Sequence, residues 1–187
     1  MIDEIINGEK FETINNDIEN VTFKNCEFIN VDFSNIKMTN VDLENTTLEN
    51  CNLSNKNFDE RYISKVKFIN CKITGASFIN SYINETTFEK CLLDYSNFSE
   101  AKIKKVKYIS SDLSESSYIN TNLKQIEFEE SKLNRCDFIN TPLKGIDLSN
   151  CNIEDIHFDM KSIKGLTVDI SQTYNFMNML GINIKWQ

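Results

Sequence analysis

The sequence predicts an all-β solenoid, a four-sided β-helix with twenty residues per coil and a short helix at its C-terminal end. Three observations predict it. From Val21 to Val168 an apolar residue recurs at every fifth position without a slip, running Phe23, Phe28, Phe33, Met38, Leu43 and onward to Phe158, Ile163 and Val168. Two residues before most of these stands a small or β-branched residue, as in Val21, Cys26, Val31, Val41, Thr46, Cys51, Cys71 and Ala76. Rings and aliphatics also alternate at a period of ten: positions 28, 68, 88, 108 and 128 are aromatic, as are 58, 78, 98, 118, 138 and 158. A period of five suits neither a helix nor a strand, and fixed-period self-similarity marks a repeat architecture. Four pentads per coil put the ring-bearing sides opposite each other. Coils stacked at strand spacing, roughly 4.8 Å apart, make a rod about 35 Å long from some seven coils.

Taken in order, residues 1–20 form an acidic N-terminal cap, carrying Asp3, Glu4, Glu9, Glu12, Asp17 and Glu19 against Lys10. Ile14 and Ile18 are placed to cover the first coil, since an open end coil would offer unpaired backbone to other chains. The solenoid follows over 21–168. Asn closes many of its pentads, at 25, 30, 40, 45, 50, 55, 70, 80 and 120 among others, as expected of corners that need left-handed backbone. Lys56 and Arg61 occupy the small inward position in successive pentads. A charge cannot stand unpaired in so narrow a core, so a local bulge or outward-turned side chains are expected there. Cys26, Cys51, Cys71, Cys91, Cys136 and Cys151 all fall on that same small position. They read as buried apolar fillers rather than as disulfides or a metal set, because no CxxC spacing occurs.

After Val168 the period stops, and residues 169–187 form a tail. Ser171 is the expected N-cap, and Ile170, Tyr174 and Met177 make a helical stripe, with Phe176, Met179 and Leu180 on further faces. Gly181 is the expected end of the helix, after which Ile182, Ile184 and Trp186 alternate like a strand. A helix apolar on several faces needs cover. A twofold dimer through Tyr174, Phe176, Met177, Met179, Leu180, Ile182, Ile184 and Trp186 is the simplest cover, the alternative being a monomer whose tail folds over its own last coil.

Composition narrows the function. A net charge of -8 and a pI near 4.8 argue against nucleic acid as a direct partner. No basic, apolar leader and no long apolar run occur, so neither a signal peptide nor a membrane span is expected, and the location is expected to be cytoplasmic. The one histidine, His157, has no nucleophile or orienting partner placed by the pattern, and no P-loop, GxGxxG or HExxH motif occurs. The chain is expected not to be an enzyme and to need no cofactor or metal.

Charge, in contrast, is sorted by side. The side formed by 21–25, 41–45 and their successors carries ten bases, including the ladder Lys104, Lys124, Lys144 and Lys164, against Asp42, Glu44 and Glu85. The other three sides are net acidic. Their candidate partner-binding carboxylates are Glu89 and Glu129 on one, Asp32, Asp94, Asp112 and Glu115 on the next, and Asp59, Glu100 and Asp137 on the fourth. Six isoleucines, Ile29, Ile69, Ile79, Ile109, Ile119 and Ile139, also stand at outward positions.

The pentad pattern resembles the pentapeptide-repeat family. The opening Ile18-Glu19-Asn20-Val21-Thr22-Phe23-Lys24-Asn25-Cys26-Glu27-Phe28 is similar to that of Qnr-type quinolone-resistance proteins, as is the tail through Gly165-Leu166-Thr167-Val168-Asp169, Gln172 and Leu180-Gly181-Ile182. The resemblance implies a right-handed quadrilateral β-helix and a tail-to-tail homodimer. It implies a DNA mimic that binds DNA gyrase or topoisomerase IV and protects it from fluoroquinolones or modulates it. The projecting loops of Qnr-type proteins are missing here, because the phase of five is kept throughout. The other function this sequence allows is a binding scaffold unrelated to topoisomerases.

Overall fold

The computed structural model describes residues 1–179 together with 181, 182 and 185. It is a parallel β-solenoid whose coils pair at a constant offset of twenty, from Ile18↔Met38 to Asp147↔Thr167. One wall is built from β3 (Ile18–Lys24), β5 (Met38–Glu44), β7 (Tyr62–Ser64), β9 (Tyr82–Asn84) and the first halves of β11 (Lys102–Ile109) and β12 (Asn122–Glu129). The next wall takes β4 (Glu27–Ile29), β6 (Thr47–Glu49), β8 (Lys67–Ile69), β10 (Thr87–Glu89) and the second half of β11. The remaining two walls are held by single bridges such as Asn52↔Lys72 and Ser77↔Asn97.

The pentad residues fill the interior. Phe58, Phe68, Phe78, Phe88 and Phe98 are fully buried, and rings stack between adjacent coils, as Phe68 on Phe88 at 4.8 Å and Phe78 on Phe98 at 4.8 Å. The second inward row carries hydroxyls and thiols that donate back to the coil. Ser111 Oγ bonds the carbonyl of Phe88 at 3.1 Å, and Cys51 Sγ that of Phe28 at 3.5 Å. All six cysteines are free and buried. Corner residues adopt left-handed backbone, with φ of 53° at Asn25, 48° at Asn45 and 53° at Asn50. Their amides also interlock along the rod, Asn45 Nδ2 donating to Asn25 Oδ1 at 2.6 Å and Asn25 Nδ2 to Asn7 Oδ1 at 2.6 Å. The turn residues are thus a ladder as well as corners.

The strain expected at Lys56 and Arg61 is present and takes a definite form. On this wall the residue twenty-one ahead normally donates to the carbonyl, as Ser77 N to Lys56 O and Asn97 N to Ala76 O. Between 36–42 and 56–62 that ladder is interrupted, and β5 meets β7 only at Leu43↔Ile63 and Glu44↔Ser64. Lys56 swings outward to the corner and its Nζ donates to Ile36 O at 2.8 Å and Ser34 O at 3.1 Å. Tyr62 N donates to Asp42 Oδ1 at 2.7 Å. Arg61 Nε bonds the carbonyl of Asp59 at 3.2 Å. The opened wall leaves a cleft of about 220 Å³ lined by Met38, Thr39, Asn40, Asn57, Asp59 and Arg61. Side chains replace backbone donors and acceptors here, without an inserted loop.

At the N-terminal end, β1 (Ile2–Asn7) and β2 (Lys10–Phe11) pair in parallel with β3 and β4 at an offset of seventeen, as Ile2↔Glu19 and Lys10↔Glu27. They make a coil three residues short, with Phe11 stacked on Phe28 at 4.9 Å. Glu4 takes the register of inward Val21 yet stays exposed, and a charge at such an edge opposes pairing with other chains.

The tail begins differently from the sequence expectation. The N-cap is Asp169, not Ser171: its carboxylate accepts from Ser171 N at 2.9 Å while Gln172 Oε1 accepts from Asp169 N at 2.7 Å. A residue able to cap with a reciprocating glutamine three positions on outcompetes a lone serine. A single 3₁₀ turn, Ile170–Gln172, leads into α1 (Thr173–Met179). Gln172 Nε2 ties the turn to the last coil through the carbonyls of Leu148 and Cys151, at 2.9 and 2.7 Å. Gly181, at φ +70°, allows Ile182 N to reach Met177 O at 3.0 Å, which closes the helix as expected. Leu180, Ile184 and Trp186, and with them the expected terminal strand, lie outside the described residues.

Candidate interaction surfaces

The walls are nearly flat, so function is read from what they display. Opposite charges one coil apart form ion pairs. These are Lys24–Glu44 at 2.8 Å, Lys105–Glu85 at 3.0 Å, Lys107–Glu127 at 2.6 Å, Lys132–Asp112 at 3.2 Å and Arg135–Glu115 at 2.7 Å. In-register neighbours on a sheet face each other at strand spacing, so residues i and i+20 with opposite signs were the readable signal for these pairs, and sequence reasoning passed over it. Their members are exposed or half-buried, and each pair contributes only about 0–1 kcal/mol.

This pairing divides the nine candidate carboxylates. Asp112 and Glu115 are neutralised by Lys132 and Arg135, and Glu89 lies 3.8 Å from Lys90. The Arg135 guanidinium holds the Glu115 carboxyl below its usual range. The carboxylates of Asp32, Asp59, Asp94 and Asp137 have no cation within 4 Å among the described residues but are locked by neutral donors. Asp32 accepts from Ser34 N, Asp59 from Ile79 N, Asp94 from Thr74 Oγ1 and Asp137 from Ile139 N, at 2.8 to 2.9 Å. Glu100 and Glu129 have no cation within 4 Å among the described residues and are exposed.

The lysine wall is different. Lys104, Lys124, Lys144 and Lys164 are exposed on successive coils, β11 and β12 set Lys104 against Lys124 in register, and Gly165 lies against Lys144. At the near end Tyr62 and Tyr82 stack at 4.7 Å, and Tyr62 is 52% exposed. Beside them Tyr82, Lys102, Ile103, Lys104, Asn122 and Lys124 line a shallow depression of about 130 Å³. The outward isoleucines are half-buried except Ile139, which is exposed.

A larger hollow of about 530 Å³ lies between the last coils and α1, lined by Arg135, Ile139, Asp155, Ile156, His157, Phe158 and Asn175. Exposed His157 sits in it, with Arg135 committed to Glu115. Among the described residues no group of three or more His, Cys, Asp or Glu is placed to hold a metal ion, and no helix is long and apolar enough to cross a membrane. Of the tail residues expected at a dimer interface, Phe176 stacks on Phe158 of its own rod at 5.1 Å. Tyr174 and Ile182 remain exposed.

Twenty-residue coils of four pentads, with rings on opposite walls, define a pentapeptide-repeat solenoid, and the chain belongs to the pentapeptide-repeat family. The family profile described as a pentapeptide repeat region matches residues 41–118, and that described as pentapeptide repeats in eight copies matches 17–59 and 111–155. No curated protein matches the chain. Similar solved structures include a trypsin-treated variant of QnrB1, a plasmid-mediated fluoroquinolone resistance protein. It is 21% identical, with 99% of each chain covered and a TM-score of 0.43. HetL of the cyanobacterium Nostoc sp. strain PCC 7120, involved in heterocyst differentiation regulation, is 13% identical over 84% of this chain and 88% of its own, with a TM-score of 0.44. A pentapeptide repeat protein of the Arabidopsis thaliana thylakoid lumen is 21% identical over 70% of each chain, with a TM-score of 0.39.

Proposed function

We propose that this protein acts by surface recognition as a duplex-DNA mimic of the Qnr type, binding DNA gyrase or topoisomerase IV in place of DNA. In this reading residues 1–20 cap the rod, 21–168 carry the recognition walls and 169–187 join two copies. One observation carries it: carboxylates recur every one to three coils on three walls of a rigid rod, and six of the nine candidates have no cation within 4 Å among the described residues. Such a lattice complements the lysines and arginines that a topoisomerase presents to phosphates. The likeness of residues 18–28 and of the tail to Qnr-type proteins points to the same partner. Because the carboxylates are held by coil stacking and by their own turn hydrogen bonds, little ordering cost remains to be met on binding.

The test is gyrase supercoiling titrated with this protein, with and without a fluoroquinolone. Restored supercoiling in the presence of drug, or inhibition in its absence, is the expected result. A Glu100→Lys/Glu129→Lys variant should lose the effect by at least tenfold in the concentration needed, while keeping its circular dichroism. No effect in either arm, using a folded sample, would sink the mimic. It would favour the scaffold reading, which the pairing of Asp112 and Glu115 across coils also suits.

A further inference from the structure

The lysine wall has no part in DNA mimicry, and its arrangement runs against the rest of the surface. On the other walls, and on the N-terminal part of this one, charges facing each other across coils are mostly opposite in sign, as Lys24–Glu44, Lys105–Glu85 and Arg135–Glu115. On this wall's C-terminal part Lys104 faces Lys124 in register, Lys144 and Lys164 stand exposed on the coils beyond, and no Asp or Glu occurs at 101–105, 121–125, 141–145 or 161–165. None of the four, nor Lys102, has a carboxylate within 4 Å among the described residues. Like charges directly opposed across a sheet are destabilising, so Lys104 against Lys124 is a stored repulsion that a polyanion would relieve.

We infer that this wall is a docking surface for the phosphate backbone of duplex nucleic acid. The chemistry favours phosphates over the other anionic surfaces. Carboxylate recognition draws on the bidentate fork of arginine, and this column holds only lysines, which act as point charges on flexible stems. An acidic protein partner would also need apolar anchors between the charges, and none stands within the column. A lipid surface would call for exposed apolar groups among the lysines, and the exposed tyrosines lie beside one end only. Lys104 to Lys164 spans three coil steps, roughly 14 Å, against a duplex charge every ~1.7 Å, so each lysine finds a phosphate without a fixed register. The chain's net charge of -8 does not forbid this. The screening length is about 8–10 Å in ordinary buffer, so a phosphate over this wall meets its lysines ahead of acids on the opposite one.

Fluorescence anisotropy of a short labelled duplex, with the full chain titrated over a series of salt concentrations, tests the proposal. Five lysines engaging phosphates should give a slope of log K against log salt of about -4.5, falling to about -2 in a Lys104→Ala/Lys124→Ala/Lys144→Ala variant. The variant should bind at least tenfold more weakly at low salt. A Lys67→Ala/Lys72→Ala control, altered on other walls, should retain wild-type affinity. The proposal is overturned if the duplex does not bind at low salt or if the control loses as much as the variant. It is equally overturned if polyglutamate or anionic vesicles are bound and the duplex is not. The assay contains no topoisomerase, so its outcome is separate from that of the supercoiling test.

Discussion

Two tyrosines break the uniformity of the ring stacks. Tyr108 lies between Phe88 and Phe128, at 5.1 and 5.0 Å, and Tyr118 between Phe98 and Phe138, at 4.8 and 4.9 Å. Both are fully buried, and neither hydroxyl has a hydrogen-bond partner. Burial pushes both phenols well above their usual range, so they stay neutral. A buried hydroxyl left unsatisfied costs about 1–3 kcal/mol, and phenylalanine already fills the equivalent site in neighbouring coils. The Tyr108→Phe/Tyr118→Phe variant, which removes two such hydroxyls, should therefore be more stable by about 2 kcal/mol or more, seen as a higher urea midpoint at unchanged slope. A loss of stability would mean that the hydroxyls are satisfied by a partner, such as an internal water. The same narrow interior governs the thiols. Cys136 Sγ donates to Leu113 O at 3.0 Å, and burial pushes its pKa up to about 12, which leaves it a filler.

At the scale of the element, the seam between 36–42 and 56–62 is one of two places where the coil ladder is broken, the other lying between β12 and residues 142–149. Four side-chain contacts from Lys56, Asp42 and Arg61 stand in for backbone pairing. Burial lowers the Lys56 pKa, and its ammonium is retained by the two carbonyls it caps. Replacing Lys56 by Met keeps the stem but leaves the Ile36 and Ser34 carbonyls without their donor. Hydrogen exchange in Lys56→Met should then accelerate for amides of 33–43 and 56–63, with protection of 83–128 unchanged. Uniform acceleration along the rod would show that the seam is not a separate unit. The seam also marks the limit of what the residues disclose. The walls, ring stacks and corners follow from a period of five because each depends on the side chain at one position and its own coil. Lys56 and Arg61 announced a conflict, but which carbonyl would accept the lysine depends on how far the neighbouring coil opens. Asp169 was missed as a cap because its reciprocal partner Gln172 was not weighed with it. The acidic walls were legible as charge, whereas their partial neutralisation by Lys132 and Arg135 required pairing each residue with the one twenty ahead.

For the whole molecule, large apolar groups are exposed at both ends, Ile5 and Ile2 at the N-terminal end and, at the C-terminal end, Ile170 at 85%, Met160 at 57%, Ile182 at 48% and Tyr174 at 39%. Phe176 is spent on Phe158 and Gln172 on the last coil, so the C-terminal groups are left without cover from their own rod. A twofold tail-to-tail contact covers them on both copies at once, and it closes, whereas stacking rods head to tail would not. The expected solution particle is a dimer about 70 Å long rather than a rod of about 35 Å. Scattering and light-scattering mass should both report this. Ile170→Asp/Tyr174→Asp should halve the mass and the long dimension while leaving the solenoid spectrum intact, since neither side chain is buried in the rod. A wild-type protein that runs as a monomer at assay concentrations would remove the dimer. The mimic would then have to work with a single rod, too short to replace more than about one helical turn of duplex.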